Sequence, residues 1–316
     1  MSSTPTHDRI AIIGAGHVGS TTAYALMLRA LFHEIILIDE DEALAKAEAA
    51  DLSDANAMAR PVQIRAGGYA DAAGAGIAVI TAGAATHGNE SRLSVAVGSA
   101  VIMRDCVRRL IEAGFEGIIL VAANPVDLMT LVALRASGLA PSRVVGSGTL
   151  LDTSRLRQAL AKRLSVAPGS IDGFVIGEHG DTEVAAFSTV RIGGMTFDAF
   201  CSDSGLSPDR AALAVDVRDA GYRIVQGKGY TSFGVATALV RICETIVRDE
   251  QAVLAVSTLL TGQYGIADVC LSLPCILGAN GVARVLSPAL DGAEHDGLVA
   301  SAAVLRQAWQ TIAPTG

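Results

Sequence analysis

A glycine-rich turn near the beginning of the chain constrains its fold more than any other feature. The turn is Gly14-Ala15-Gly16-His17-Val18-Gly19, and it lies between an apolar run at residues 9–14 and a helical pattern at residues 18–32. Glycines at this spacing permit a tight turn and the close approach of a pyrophosphate, whose negative charge is favoured at a helix N-terminus. The turn between a strand and a helix therefore predicts a dinucleotide-binding site.

The first half of the chain continues to alternate short apolar runs with helical patterns. Apolar runs at residues 34–39, 77–82 and 117–122 are too short for helices and are flanked by turn residues, whereas residues 43–58 are rich in alanine and have helical spacing. Strands that alternate with helices indicate a doubly wound parallel sheet. We predict an α/β protein that begins with a Rossmann domain.

The pattern changes near Gly146. Helical patterns follow at residues 151–164, 208–225, 234–248 and roughly 297–312, and strand patterns at residues 171–176, 184–192 and 252–261. This mixture is typical of an α+β arrangement. We predict two domains, a dinucleotide-binding Rossmann domain at residues 1–147 and an α+β substrate and catalytic domain at residues 148–316.

Composition argues against several classes of function. Of the 316 residues, 51% are hydrophobic, so the chain can bury a large core, and the net charge of −8 disfavours a nucleic-acid-binding or anionic-membrane surface. The five cysteines form no CxxC pair, no His or Cys cluster has zinc spacing, and no apolar run reaches the length of a membrane span. We expect a cytoplasmic protein with reduced thiols and no metal site.

An acidic residue indicates which dinucleotide would bind. Asp39 ends the second apolar run at the expected distance of about 20 residues from the glycine turn, where its carboxylate can accept hydrogen bonds from the adenosine ribose. Glu40, Asp41 and Glu42 add negative charge beside it. A 2′-phosphate would be repelled by this cluster, so we predict NAD rather than NADP.

His179 is the candidate for acid–base chemistry. It lies in Gly177-Glu178-His179-Gly180-Asp181 after an apolar run, and an unperturbed imidazole exchanges a proton near neutral pH. Asp152 and Arg155 are three residues apart in a helical pattern and so share a helix face. Asp152 could orient the imidazole, and Arg155 could grip a carboxylate through two hydrogen bonds. The residues alone also allow a structural histidine and an ordinary helix-face ion pair.

Seven stretches, spread over almost the whole chain, resemble the L-lactate/L-malate dehydrogenase family, and its lactate dehydrogenases more closely. They are IIGAGHVGS, ILIDEDE, ITAGAATHGNESRL, ANPVDLMT, GSGTLLDTSRLR, VIGEHGDTEV and GKGYTSFGVA, in the family's order and with nearly its spacing. The resemblance implies NAD-dependent interconversion of a 2-oxo acid and an L-2-hydroxy acid, with hydride carried by the nicotinamide. It also implies a homotetramer, or else a dimer.

The resemblance implies a role for each site residue. His179 is the acid and base, Asp152 its partner, and Arg155 the ligand of the substrate carboxylate. Arg92 polarises the carbonyl when a lid at residues 83–89 closes and expels water. Asn124, whose bond to Pro125 is usually cis in the family, contacts substrate and nicotinamide, and Thr231 lines the substrate pocket. The implied cofactor contacts are Gly14, Gly16, His17, Val18, Gly19, Asp39, Ala82, Gly83, Asn124 and Val235.

The chain departs from this family at the main specificity position, which falls on Thr86 in the lid. Lactate dehydrogenases usually have Gln there and malate dehydrogenases usually Arg. Thr86 is uncharged, so a second substrate carboxylate would stay unpaired, at a cost of several kcal/mol. Thr is also smaller than Gln, so we expect pyruvate or a close analogue, including one with a larger side chain, as substrate. A malate dehydrogenase stays an alternative because His87 could add positive charge at low pH. A non-catalytic NAD-binding protein on this fold is a second alternative.

A second departure concerns regulation. Bacterial lactate dehydrogenases that fructose 1,6-bisphosphate activates use an Arg and a His across a subunit interface. The Arg matches Arg157, but the His position is occupied by Asp172, whose carboxylate would repel phosphate. We expect no activation by this sugar phosphate, and sigmoidal pyruvate kinetics that the effector abolishes would contradict this expectation.

Overall fold

The computed structural model of the protein describes residues 7–84 and 95–313. The first half alternates strands and helices as the sequence predicts. Its elements are β1 (Arg9–Ile13), α1 (His17–Arg29), β2 (Glu34–Ile38), α2 (Glu42–Asn56), β3 (Gln63–Ala66), α3 (Tyr69–Ala72), β4 (Ile77–Ile80), α4 (Ala96–Glu112), β5 (Ile118–Val121), α5 (Val126–Ser137) and β6 (Val144–Gly146).

The second half mixes helices with antiparallel strands. Its elements are α6 (Leu150–Leu164), β7 (Ile171–Ile176), β8 (Val184–Ile192), β9 (Met195–Thr196), α7 (Phe197–Ser204), α8 (Arg210–Arg218), α9 (Ala220–Lys228), α10 (Phe233–Val247), β10 (Ala252–Thr261), β11 (Ala267–Gly278), β12 (Gly281–Val285) and α11 (Gly292–Ile312). No helix in the two described ranges is both long and apolar enough to cross a membrane.

One nine-stranded sheet connects the two halves. Its strand order is β12-β11-β10-β6-β5-β4-β1-β2-β3, and the strands from β6 to β3 are parallel to their neighbours. The second half adds β10 antiparallel to β6 through the pair Ser257 and Gly146, and β7, β8 and β9 form a separate sheet. The α/β class is confirmed, and a domain division near residue 147 stays a prediction.

Both faces of the parallel strands are covered by apolar side chains. Every residue of β2 and β4 is buried. Because successive side chains of a strand point to opposite faces, Ile10 and Ile12 belong to one apolar cluster and Ala11 and Ile13 to another. With both faces covered, the carboxyl ends of the strands are the edge where a ligand can bind.

Several elements have no clear signal in the sequence. The edge strand β3 has four residues and no fully buried side chain. In α5, ten of the twelve residues are buried, so no polar face marks a helical period. The strand β11 contains Pro274, a residue that argues against a strand because it has no N–H to donate.

Two helix predictions need correction. The pattern at residues 208–225 predicts one helix, but Asp219 ends α8 and precedes α9, so the structure has two. The last helix begins at Gly292 instead of Gly297. Its start is a capping box in which the Asp291 side chain accepts from the Glu294 N–H and the Glu294 side chain accepts from the Asp291 N–H.

Candidate active site

The glycine turn forms a close backbone contact that only glycine permits. Gly14 has a φ of +103°, and a Cβ added there would lie 2.7 Å from the Ala82 backbone nitrogen. A Cβ on Gly19 would lie 1.8 Å from the Gly14 carbonyl oxygen. The turn therefore packs directly against the end of β4 and against its own helix, and the backbone N–H groups at the start of α1 face a ligand-sized space.

Asp39 is tied to the same turn. Its Oδ2 accepts a hydrogen bond from the Ala15 N–H at 2.6 Å, and its Oδ1 accepts from the Asp41 N–H at 3.0 Å. Asp41 in turn caps α2 through the N–H groups of Ala43 and Leu44. These bonds hold the carboxylate at the carboxyl end of β2, beside the glycine turn, where a ribose hydroxyl could reach it.

The two strand ends and the glycine turn border a cleft of about 670 Å³. The cleft is lined by residues that the sequence assigns to the cofactor or substrate, which are Gly14, Gly16, His17, Val18, Asp39, Ala82, Gly83 and Thr231. A partly polar cleft of this size at the carboxyl ends of the parallel strands fits a dinucleotide.

A smaller cavity of about 170 Å³ holds the candidate catalytic residues. It is lined by Asn124, Arg155, His179, Thr231 and Val235, and the Asn124–Pro125 peptide bond is cis, as the resemblance implies. Val18 and Thr231 line both this cavity and the larger cleft. The two spaces are therefore adjacent, and a dinucleotide in the cleft can extend toward His179.

Asp152 links the candidate base to the candidate anion ligand. The residue is 1% exposed. Its Oδ2 lies 2.5 Å from Nδ1 of His179, and its Oδ1 accepts a hydrogen bond of 2.8 Å from Nη1 of Arg155. The imidazole and guanidinium side chains keep 14% and 15% of their surface exposed. One buried carboxylate thus orients two groups whose remaining N–H or N atoms can face a ligand.

Hydroxyl groups hold the helix of Asp152 against the strand that leads to His179. The Thr149 hydroxyl donates to the Val175 carbonyl at 2.5 Å, and the Val175 N–H donates to the Thr153 hydroxyl at 3.0 Å. These bonds fix the first turn of α6 beside β7. The spacing of Asp152 and His179 therefore depends on backbone-anchored contacts.

Two candidate residues lie outside the described ranges. Arg92 and Thr86, together with the rest of the lid except Gly83 and Ala84, fall in residues 85–94. The carbonyl-polarising and specificity roles that the resemblance implies for them stay predictions.

Within the described ranges, Asp152, His179 and Glu183 form the group of potential metal ligands. Nδ1 of His179 is already paired with Asp152 there, and the absence of a metal site stays a prediction.

Sequence reasoning missed Asp127, a second buried carboxyl beside His179. Asp127 is 1% exposed, and its Oδ2 accepts a hydrogen bond of 2.7 Å from the His179 backbone N–H. Burial raises the pKa of this carboxyl to about 7, the charges of Glu178 and Asp152 add to the increase, and the Ser257 hydroxyl and the His179 amide oppose it. The only signal in the sequence is its place at the start of a helix, just after Asn-Pro.

The raised pKa of Asp127 predicts a pH-dependent effect on stability. The folded protein holds this proton more tightly than the unfolded chain does, so stability falls as pH rises from about 4 to about 7. Asp127→Asn keeps an oxygen acceptor for the His179 N–H and cannot ionise. We expect its stability relative to wild type to be higher at pH 8 than at pH 5, by about 1–3 kcal/mol, because most of the wild-type loss falls between these two pH values.

Denaturant unfolding of both proteins at the two pH values measures this difference. Asp203→Asn, which changes an exposed carboxylate on α7, serves as the control and should give no pH-dependent difference. An Asp127→Asn protein that loses the same stability at pH 5 and pH 8 would show that the carboxylate is not destabilising when charged.

Comparison with known proteins identifies the family. The family model described as lactate/malate dehydrogenase, NAD binding domain, matches residues 8–146, and the model of the alpha/beta C-terminal domain matches residues 149–314. The L-lactate dehydrogenase of Thermus aquaticus is 44% identical over 303 residues, covering 95% of this chain and 98% of the relative. That of Acetivibrio thermocellus is 39% identical, covering 99% of each chain.

Solved structures agree with this result. The ligand-bound minor L-lactate dehydrogenase of Enterococcus mundtii superposes with a TM-score of 0.94 at 36% identity, covering 98% of this chain and 99% of the other. A lactate dehydrogenase, MGS-M5, from a deep-sea metagenome library gives a TM-score of 0.93 at 35% identity, covering 96% and 98%. The chain therefore belongs to the lactate/malate dehydrogenase family and is an NAD-dependent oxidoreductase.

Proposed function

We propose that the protein interconverts pyruvate, or a close 2-oxo acid analogue, and the corresponding L-2-hydroxy acid. The observation that carries this proposal is the joint pairing of His179 and Arg155 with buried Asp152 at a small cavity beside the dinucleotide cleft. The relatives named L-lactate dehydrogenase support the same reaction. A cavity of about 170 Å³ suits a small acid better than a bulky substrate.

NAD, His179 and Asp152 have different roles in the proposed reaction. Bound NAD supplies the hydride acceptor and, when reduced, the hydride donor. Asp152 engages Nδ1 of His179, which leaves Nε2 as the ring nitrogen that gives a proton to the substrate oxygen or takes it back. Asp152 also stabilises the protonated imidazole, since a carboxylate favours the neighbouring positive charge.

Arg155 binds the substrate carboxylate in this proposal. Its Nη1 is directed at Asp152, while the guanidinium has further N–H donors and lines the cavity. Two parallel hydrogen bonds to a carboxylate would fix the orientation of a small acid, which has few other groups to hold. Arg92 polarises the substrate carbonyl from the lid, and Asn124 and Thr231 line the space around the reacting carbon.

The substrate preference tests this proposal against the malate alternative. We expect kcat/KM for pyruvate or 2-oxobutyrate to exceed that for oxaloacetate by at least about tenfold, since Thr86 offers no charge to a second carboxylate. Phenylpyruvate in the same panel would show how large a side chain is accepted. A clear preference for oxaloacetate would overturn the proposal, and NADH binding without turnover of any oxo acid would indicate a non-catalytic protein.

The contacts of Arg157 support the expectation that fructose 1,6-bisphosphate does not activate the protein. Its Nε and Nη2 lie 3.3 Å from the Gly173 carbonyl oxygen, and its guanidinium lies 5.8 Å from the centre of the Phe174 ring. Burial lowers the pKa of Arg157 and the charge of Asp172 opposes that change. An arginine that already donates to a backbone carbonyl, with the negative charge of Asp172 nearby, is a poor phosphate ligand, which supports the expectation.

We also propose a cytoplasmic homotetramer, or else a dimer. A groove of about 600 Å³ between α6, α10 and β10 is lined both by apolar side chains, among them Leu151, Phe233 and Val253, and by charged ones, among them Arg241 and Glu244. Phe233 is 70% exposed, and an apolar side chain left exposed beside a groove favours association. Sedimentation of the purified protein as a monomer at micromolar concentration would contradict this proposal.

A further inference from the structure

Two of the residues that line the dinucleotide cleft form an aromatic stack. The imidazole of His17 and the ring of Tyr230 have centroids 3.9 Å apart and an interplanar angle of 13°. His17 is the first residue of α1, inside the glycine turn, whereas Tyr230 lies in the segment between α9 and α10. Both side chains line the cleft of about 670 Å³. The stack therefore joins the cofactor turn to the second half of the chain.

Tyr230 has a second partner that holds its ring in place. The ammonium of Lys228 lies 4.3 Å from the centre of the Tyr230 ring and 4.3 Å from the centre of the Phe233 ring. Because the imidazole already covers one face of Tyr230, the ammonium occupies the other. A ring placed between an imidazole and a cation has a defined orientation without being part of a core.

The exposure of the stack argues against a role in general packing. Tyr230 is 38% exposed and His17 is also exposed, so both rings are partly open to solvent and neither is enclosed in a core. The contact instead connects two segments that line the cleft. Its main effect should therefore fall on the ligand that the cleft holds.

The neighbours of the two rings belong to the cofactor and substrate sites. The backbone N–H of His17 is among the free donors at the start of α1, where a pyrophosphate is favoured. Thr231, next to Tyr230 in the chain, lines both the cleft and the catalytic cavity. If Tyr230 moved, its neighbour Thr231 would move with it. The same movement would break the stack and free the side chain of His17.

We propose that the His17–Tyr230 stack is a clamp across the dinucleotide cleft that slows the release of NADH. The clamp makes Tyr230 a positioning residue for the cofactor and links cofactor occupancy to the α9–α10 segment. The proposal rests on NAD binding in this cleft and deepens the proposed function. It does not depend on which oxo acid the protein reduces.

A double-mutant cycle on NADH release tests the clamp. NADH dissociation is followed by stopped-flow fluorescence, with excess unlabelled NAD as the chase and no oxo acid present. We expect Tyr230→Ala and His17→Ala each to raise the dissociation rate about 2- to 12-fold, the range for loss of one aromatic pair. The double variant should equal either single variant, because both changes remove the same contact. Tyr230→Phe, which keeps the ring, should stay close to wild type.

Matched controls distinguish a clamp on the cofactor from a purely structural contact. Tyr24→Ala removes an exposed tyrosine on the same α1 helix that does not line the cleft and should leave dissociation unchanged. Additive effects in the double variant, or unchanged dissociation in both single variants, would overturn the proposal. So would a loss of thermal stability in the cofactor-free Tyr230→Ala protein with an unchanged dissociation rate. If Tyr230→Ala does not fold, His17→Met gives the same comparison.

The readout also separates failure of the clamp from failure of the proposed function. NADH dissociation is measured without substrate, so a protein that reduces none of the oxo acids in the panel would still report on the clamp. A fast-releasing Tyr230→Ala protein with wild-type substrate preference supports both proposals, whereas unchanged release with intact pyruvate turnover rejects the clamp alone.

Discussion

His179→Ala should lower the rate of pyruvate reduction by about 10²- to 10⁴-fold while NADH binding stays near the wild-type level. Without the imidazole, no group in the described cavity is placed to give the proton that the carbonyl oxygen needs. The side chain of Asp152 would remain, but its Oδ2 would lose the Nδ1 partner at 2.5 Å. Steady-state kinetics with an independent fluorescence titration of NADH separates catalysis from cofactor binding.

His295→Ala is the control for this experiment, because His295 lies on α11, away from the catalytic cavity. It should keep wild-type kcat and KM. A His179→Ala protein with more than about one tenth of wild-type activity would show that the proton comes from another group.

Arg155→Leu should lower kcat/KM for pyruvate by about 30- to 4,000-fold, the range for removing one partner of a buried charged pair. The loss should appear largely in KM, since the guanidinium holds the substrate carboxylate before and during hydride transfer. Arg155→Lys should recover only part of the loss, because a lysine cannot present two parallel N–H donors. The measurement is the pyruvate dependence of the initial rate at saturating NADH.

Arg163→Leu provides the matched control on the same helix. Arg163 is on α6 and about half exposed, and its Nη2 lies 3.8 Å from Oδ2 of Asp216. It should leave kcat/KM for pyruvate unchanged. An Arg155→Leu protein with wild-type KM would remove this arginine from the substrate site.

The parts of the site that depend on local pattern could be predicted from the sequence. The glycine turn and Asp39 belong to one strand–turn–helix–strand unit, and the structure joins them by the bond from the Ala15 N–H. Asp152 and Arg155 are close because they lie on one helical turn. The pairing of Asp152 with His179 needed the family resemblance, since 27 residues separate them.

Contacts between distant segments were not predictable in this way. Asp127 is 52 residues from His179 in sequence, and only the packing of α5 beside the loop after β7 brings its carboxylate to the His179 amide. His17 and Tyr230 come from opposite halves of the chain, and no spacing rule relates them. The spacing of apolar residues also gave no prediction for α5. This helix is buried on all sides, and amphipathic spacing appears only in a helix that has one side in water.

The antiparallel addition of β10 to β6 has a consequence for how the enzyme can move. Each strand is hydrogen-bonded to the next from the edge at β12 to the edge at β3, β6 and β10 are joined, among the described residues, by the single pair Gly146 and Ser257, and mutual bonds between Gly177 and Ser272 fasten the segment before His179 to β11. A hinge between the halves would have to break these bonds. We therefore expect access to the cofactor to come from movement of local loops and not from separation of the two halves.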